Sequence, residues 1–94
     1  MENNTELEQS EPTVVDVRTF AEYANDHLKG SINIPLSEIP NRLDEFREKP
    51  NLIVCCASGI RSRNATGLLK QHGIECNDGG SWLNVKTLLT PNQR

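Results

Sequence analysis

Aromatic residues are scarce in this 94-residue chain: one Trp, one Tyr and two Phe make up 4% of it. Any core must therefore be built from Leu, Ile and Val, and the 35% hydrophobic content suffices for one small, marginally stable domain but not for two. A surplus of cations is also missing, because 10 Lys and Arg face 13 Asp and Glu for a net charge of -3. That balance argues against a general nucleic-acid binder, which needs cations to neutralise phosphates. No long apolar run occurs; the longest, Leu52 to Ala57, is far too short to span a bilayer. Met1 is followed by acids and amides instead of a basic start and an apolar stretch, so no signal peptide is expected and a cytoplasmic location is the default. Cysteine numbers three, at uneven spacing. Neither a disulfide framework nor a zinc pattern fits, whereas an odd count in a reducing compartment leaves room for a reactive thiol.

The charge that is present is unevenly spread. From Lys49 to Ile74 there is no Asp or Glu, while Lys49, Arg61, Arg63 and Lys70 contribute four cations; the other six cations share the remaining chain with all 13 acids. The molecule is electrically polarised along its sequence.

Residues 1–11 hold four Glu and many amides and hydroxyls, which predicts a disordered acidic tail, with residues 91–94 as a C-terminal tail and 12–90 as the domain. Short apolar runs then alternate with amphipathic segments, the pattern of a parallel sheet with crossover helices. Strands are expected at Thr13 to Val17, Ser31 to Ile34, Leu52 to Cys55 and Glu75 to Asp78, the third buried on both faces and central. Helices are expected over Phe20 to Leu28 and through the face Leu36, Ile39, Leu43 and Phe46, with Pro40 in its first turn. A further helix follows the third strand, with Ala65, Leu68 and Leu69 inward and a stop at Gly73. Gly79 and Gly80 are expected to turn the chain into a last helix with Trp82, Val85 and Leu89 inward.

Between the third strand and its helix lies Cys56-Ala57-Ser58-Gly59-Ile60-Arg61-Ser62. Ligands bind at the carboxyl ends of strands in open α/β sheets. Successive N–H groups of a curled loop point inward, and with the helix dipole they stabilise a thiolate and lower its pKa. Gly59 permits the positive φ that such a curl requires, and Arg61 offers a guanidinium able to hold an oxyanion through two hydrogen bonds. Arg61 and Arg63 oppose the helix dipole at a cost of about 0.3 to 1 kcal/mol each, with no nearby acid in sequence to compensate. An anion-attracting site explains such an arrangement; a solvent-facing Arg63 explains its own part equally well. Cys55 and Cys76 read as small core residues, His27 as a turn residue, His72 as a helix cap and Trp82 as a core anchor. Asp16 and Arg18, just past a strand end, suit an ion pair.

At these residues the chain resembles a family. VVDVRTFAEYANDHLKGSINIPLSEIPNRL, LIVCCASGIRS and GGSW together are similar to the rhodanese, or thiosulfate sulfurtransferase, domain from about Val14 to Trp82. Asp16-Val17-Arg18 matches the family's Asp-x-Arg, and Cys56 falls at the nucleophile position of its catalytic loop. The resemblance implies a small parallel-sheet, three-layer α/β domain with helices on both faces. It also implies two-step sulfur transfer: the Cys56 thiolate takes the outer sulfur of thiosulfate, and the resulting persulfide passes it to cyanide or a thiol. Ala57, Ser58, Gly59, Ile60, Arg61 and Ser62 would contact the substrate, with Asp16 and Arg18 behind them and no metal or organic cofactor. The implied partners are a small anionic sulfur donor and a thiol acceptor, a thioredoxin-like protein among the candidates. Two other readings stand beside this one. Counted from Cys55, five residues precede Arg61-Ser62, as in cysteine-dependent phosphatases; counted from Cys56, four do. A non-catalytic rhodanese-like binding module is the other. Family members commonly carry an extra strand and helix before the segment matching Thr13 to Arg18, where this chain is polar, so self-association or fusion to other domains is expected.

Overall fold

The β-branched run Thr13, Val14, Val15 favours extended backbone and opens the sheet as β1 (Thr13–Asp16) in a computed structural model that describes residues 11–89. Then follow α1 (Phe20–Asn25), β2 (Ile32–Asn33), a 3-10 helix (Leu36–Asn41), α2 (Leu43–Arg47), β3 (Leu52–Cys56), α3 (Ile60–Gln71), β4 (Asn77–Ser81) and α4 (Trp82–Leu88). The four strands lie in the order β2-β1-β3-β4 and every pairing is parallel. β3 is thus an inner strand, with Cys55 opposite Asp16 on one side and Gly80 on the other.

Successive strand residues face opposite sides of a sheet, and the core divides accordingly. Val15, Val54 and Cys56 pack with Phe46, Ala65 and Leu69 on one face, while Val14 and Cys55 pack with Val85, Leu28 and Trp82 on the other. This is the expected three-layer α/β domain with helices on both faces. At the end of α3, Ile74 N–H reaches Leu69 O and Gly73 N–H reaches Lys70 O, both at 3.0 Å, with Gly73 at φ +77°. Those bonds satisfy the last carbonyls of the helix and confirm the predicted stop.

Four expectations need correction. The face Leu36, Ile39, Leu43, Phe46 is buried as predicted but not on one α-helix. Pro40 has no N–H to donate, the first part is 3-10, and Arg42 breaks the helical path at φ -132°, ψ 28°. Its guanidinium then joins the two pieces, reaching Glu38 and Glu45 at 2.8 Å each. The last strand lies later than Glu75 to Asp78, and Gly79 and Gly80 belong to it instead of to a turn. The register shifts there, with Asp78 opposite Val54 but Gly80 opposite Cys55. Glycine is required at the shift: a methyl group on Gly79 would lie 2.6 Å from Val85 Cγ2 and 2.7 Å from Ile53 Cγ2. α1 ends at Asn25, short of Leu28, as Asp26 turns fully extended. Leu89 follows the last helix and is 38% exposed. The tails predicted at residues 1–11 and 91–94 lie outside the described residues, apart from Glu11. No helix among the described residues is long and apolar enough to cross a membrane.

Candidate active site

Cys56 is the last residue of β3 and the chain curls immediately after it. Gly59, at φ +105°, makes the curl and caps α3, a conformation that side-chain-bearing residues avoid. The curl aims backbone donors at the sulfur: Gly59 N–H lies 3.0 Å and Ser62 N–H 3.2 Å from Cys56 Sγ. Burial opposes ionisation of this thiol. Hydrogen bonding from Ser62, then from the N–H groups of Gly59 and Ser58, outweighs it and holds the pKa below the ordinary thiol value. Sγ is sealed, with Cys56 showing no exposed surface, yet the cover is thin because Ala57, Ser58 and Ile60 above it are exposed.

Ser62 is itself held. Its hydroxyl donates to Asp78 Oδ1 at 2.7 Å and lies 3.1 Å from Gly59 O, and Asp78 Oδ1 also accepts Gly80 N–H at 3.0 Å. β4 therefore supports the loop from the side. The loop comes close to that strand at Gly59, where an added methyl would meet Gly80 Cα at 3.7 Å.

Arg61 lies on the rim, but its guanidinium is directed at Glu22 of α1. Nη1 and Nη2 reach the two carboxylate oxygens at 2.8 and 3.0 Å. The expectation that no acid compensates Arg61 is thus overturned by a residue 39 positions earlier in the chain. Glu22 accepts two further bonds on Oε1, from Thr19 N–H at 2.9 Å and Thr19 Oγ1 at 3.1 Å. Its pKa falls to about 2, chiefly through Arg61 and then Thr19. Sequence reasoning missed Glu22 and Asp78 as parts of the site. The Thr19-x-x-Glu22 spacing is a capping-box signal that could have marked Glu22 as a fixed carboxylate; nothing local marks Asp78. Arg63 is exposed.

Asp16 and Arg18 form a buried pair at the carboxyl end of β1, with Arg18 Nη2 2.8 Å and Nε 2.9 Å from the carboxylate oxygens. Arg18 also donates to Asp26 O at 2.7 Å and lies 5.0 Å from the centre of the Trp82 ring. It thereby ties the end of β1 to the end of α1 and the start of α4. Cys55 faces the opposite side of the sheet from Cys56, and burial first, then Asp16, pushes its thiol up to about 12. Cys76 is buried in the core with its thiol also raised by burial. His27 stacks on Tyr23 with ring centres 3.8 Å apart, and Nδ1 lies 2.8 Å from Tyr23 O, away from the loop. His72 caps α3.

Fold and loop together define a class: a parallel α/β domain that stabilises a cysteine thiolate at the carboxyl end of an inner strand. The model of the rhodanese-like domain matches residues 2–86, and the chain belongs to that family. A sulfurtransferase of Allochromatium vinosum is 35% identical over 60 residues, covering 64% of this chain and 56% of that protein. The thiosulfate sulfurtransferase PspE of Escherichia coli is 34% identical over 61 residues, covering 63% and 59%. The crystal structure of a rhodanese-like domain protein from Staphylococcus aureus superposes with a TM-score of 0.75 at 29% identity, covering 88% of this chain and 81% of that one. The chain spans little more than half the length of these two curated relatives.

Proposed function

We propose that this domain transfers a sulfane sulfur, from thiosulfate or a similar donor, through a persulfide on Cys56 to a thiophilic acceptor, cyanide or a thiol. One observation carries the reading: Cys56 Sγ sits 3.0 and 3.2 Å from two backbone N–H groups of a loop that lowers its pKa. The thiolate attacks the outer sulfur of thiosulfate, an Sγ–S bond forms, the donor's S–S bond breaks, and sulfite leaves with the electron pair. The anionic persulfide that results is held by the N–H groups of the curl. Ala57, Ser58, Gly59, Ile60 and Ser62 form the loop around that sulfur, Arg61 flanks the entrance, and the Asp16–Arg18 pair braces the floor. The acceptor thiol, on a small molecule or a thioredoxin-like protein, takes the outer sulfur in a second step, which gives ping-pong kinetics. A reducing, cytoplasmic setting suits such a thiol. The names of the two relatives, both sulfurtransferases, support the same chemistry.

The test is incubation with thiosulfate followed by intact-mass measurement. Cys56 gains one sulfur, Cys56→Ser gains none and Cys55→Ser behaves as the native chain. If the mass changes with neither thiosulfate nor an organic persulfide, the domain is a non-catalytic binding module. Phosphatase chemistry at Cys55 is disfavoured by its full burial on the other face and its raised pKa; release of nitrophenol from its phosphate ester would restore it.

A further inference from the structure

The charge that surrounds Cys56 in space differs from the charge that surrounds it in sequence. Both arginines near the loop are paired with carboxylates, Arg18 with Asp16 and Arg61 with Glu22, and Asp78 adds a third acid beside Ser62. Arg63, two residues on along the helix, points to a different face. Glu22 offsets the charge of the loop's own guanidinium and Asp78 adds a carboxylate beside Ser62, so among the described residues of the loop it is the backbone N–H groups and the helix dipole that favour an anion.

Glu22 is the decisive member. It is not a loose surface partner, because Thr19 fixes its Oε1 through two bonds while both its oxygens hold Arg61. The pair is about one-third exposed, with side-chain accessibility of 34% for Arg61 and 37% for Glu22, so an anion from solvent reaches this guanidinium of the loop only in competition with Glu22. We propose that Glu22, by occupying the Arg61 guanidinium, is a donor-specificity residue that turns this site away from oxyanion donors such as thiosulfate and toward thiol persulfides, R–S–SH.

The electron count explains the preference. Thiosulfate brings two negative charges to a thiolate that has one, and all three must be accommodated until sulfite departs. With R–S–SH the thiolate forms the Sγ–S bond, the S–S bond of the donor breaks, and RS⁻ leaves with the electron pair while the proton stays on the new persulfide. One negative charge is present with the protonated donor and two with its ionised form, in either case fewer than the three that thiosulfate imposes. An oxyanion donor must displace a fixed carboxylate to use Arg61, whereas a persulfide has no oxygens to place there. This inference rests on the sulfur-transfer reading of Cys56.

The experiment separates the two. In a Cys56→Ser background, where no transfer can occur, thiosulfate is titrated calorimetrically against the chain with Glu22 and with Glu22→Gln. The amide keeps the shape and can still accept from Thr19 N–H but lacks the charge. Glu22→Gln is expected to tighten thiosulfate binding about three- to fivefold, the scale of one partly exposed ion pair. Thr19→Ala, which loosens the helix cap and leaves the carboxylate, is expected to tighten it less than twofold. In the chain with Cys56 intact, the ratio of persulfide formation from thiosulfate to that from an alkyl persulfide without carboxylates rises in Glu22→Gln by a similar factor. Unchanged thiosulfate binding in Glu22→Gln, an equal gain in Thr19→Ala, or an unchanged donor ratio would overturn the assignment. If Cys56 gains sulfur from neither donor, the donor preference falls together with the sulfur-transfer reading; the titration distinguishes that result from a Glu22 with no effect on anions.

Discussion

Burial alone would raise the thiol of Cys56, as it does at Cys55 and Cys76; the hydrogen bonds from the loop reverse the sign at one position only. A depressed pKa means that thiolate is present above it and is lost as pH falls through it. The rate of iodoacetamide modification at Cys56, followed by peptide mass, should therefore reach half its plateau at a pH below that of an ordinary thiol. Cys55, at about 12, should remain unmodified in the folded chain across the same range. Gly59→Ala tests the curl: at φ +105° a side chain is strained, which costs about 1 to 3 kcal/mol. The N–H groups should move off Sγ, and the half-plateau pH of Cys56 modification should shift upward. That Cys56 and not Cys55 meets the N–H groups of the loop was legible in sequence, because an apolar run ending in two cysteines places only the second at the strand's exit.

At the scale of elements, apolar periodicity found the buried faces and missed what breaks or extends them. Spacings of three, four and three put Leu36, Ile39, Leu43 and Phe46 on one buried side whether the helix is continuous or, as here, changes type around Pro40. Propensity assigned Gly79 and Gly80 to a turn because glycine weakens strands, but close packing of α4 against Ile53 outweighs that preference. The consequence is measurable. Gly79→Ala should lower unfolding free energy by about 1 to 3 kcal/mol through overpacking, seen as a lower urea midpoint with an unchanged slope. By contrast, Gly67→Ala, on α3 with nothing near the added methyl, should raise stability by about 0.5 to 1 kcal/mol.

On the scale of the whole molecule, polarity along the chain did not survive folding at the site. The acid-free segment from Lys49 to Ile74 holds the loop, but α1 brings Glu22 to Arg61 and β4 brings Asp78 to Ser62. Those contacts join residues 39 and 16 positions apart, a range at which local sequence patterns say nothing. With a net charge of -3 and the carboxylates of Glu22 and Asp78 on residues of the loop, reaction with thiosulfate would be an encounter of like charges. Raising ionic strength from about 20 to about 200 mM shortens the screening length, so the second-order rate of sulfur uptake should increase; an attractive site would show a decrease. The seal over Cys56 has its own outcome for the second half-reaction. A persulfide offers an acceptor two electrophilic sulfurs: attack on the inner one yields a mixed disulfide and wasted hydrogen sulfide, whereas attack on the outer one delivers the cargo. Because Cys56 has no exposed surface while Ala57, Ser58 and Ile60 of the loop after it are exposed, a persulfide on Cys56 would present its outer sulfur to an acceptor ahead of Sγ, and burial would favour delivery of the cargo.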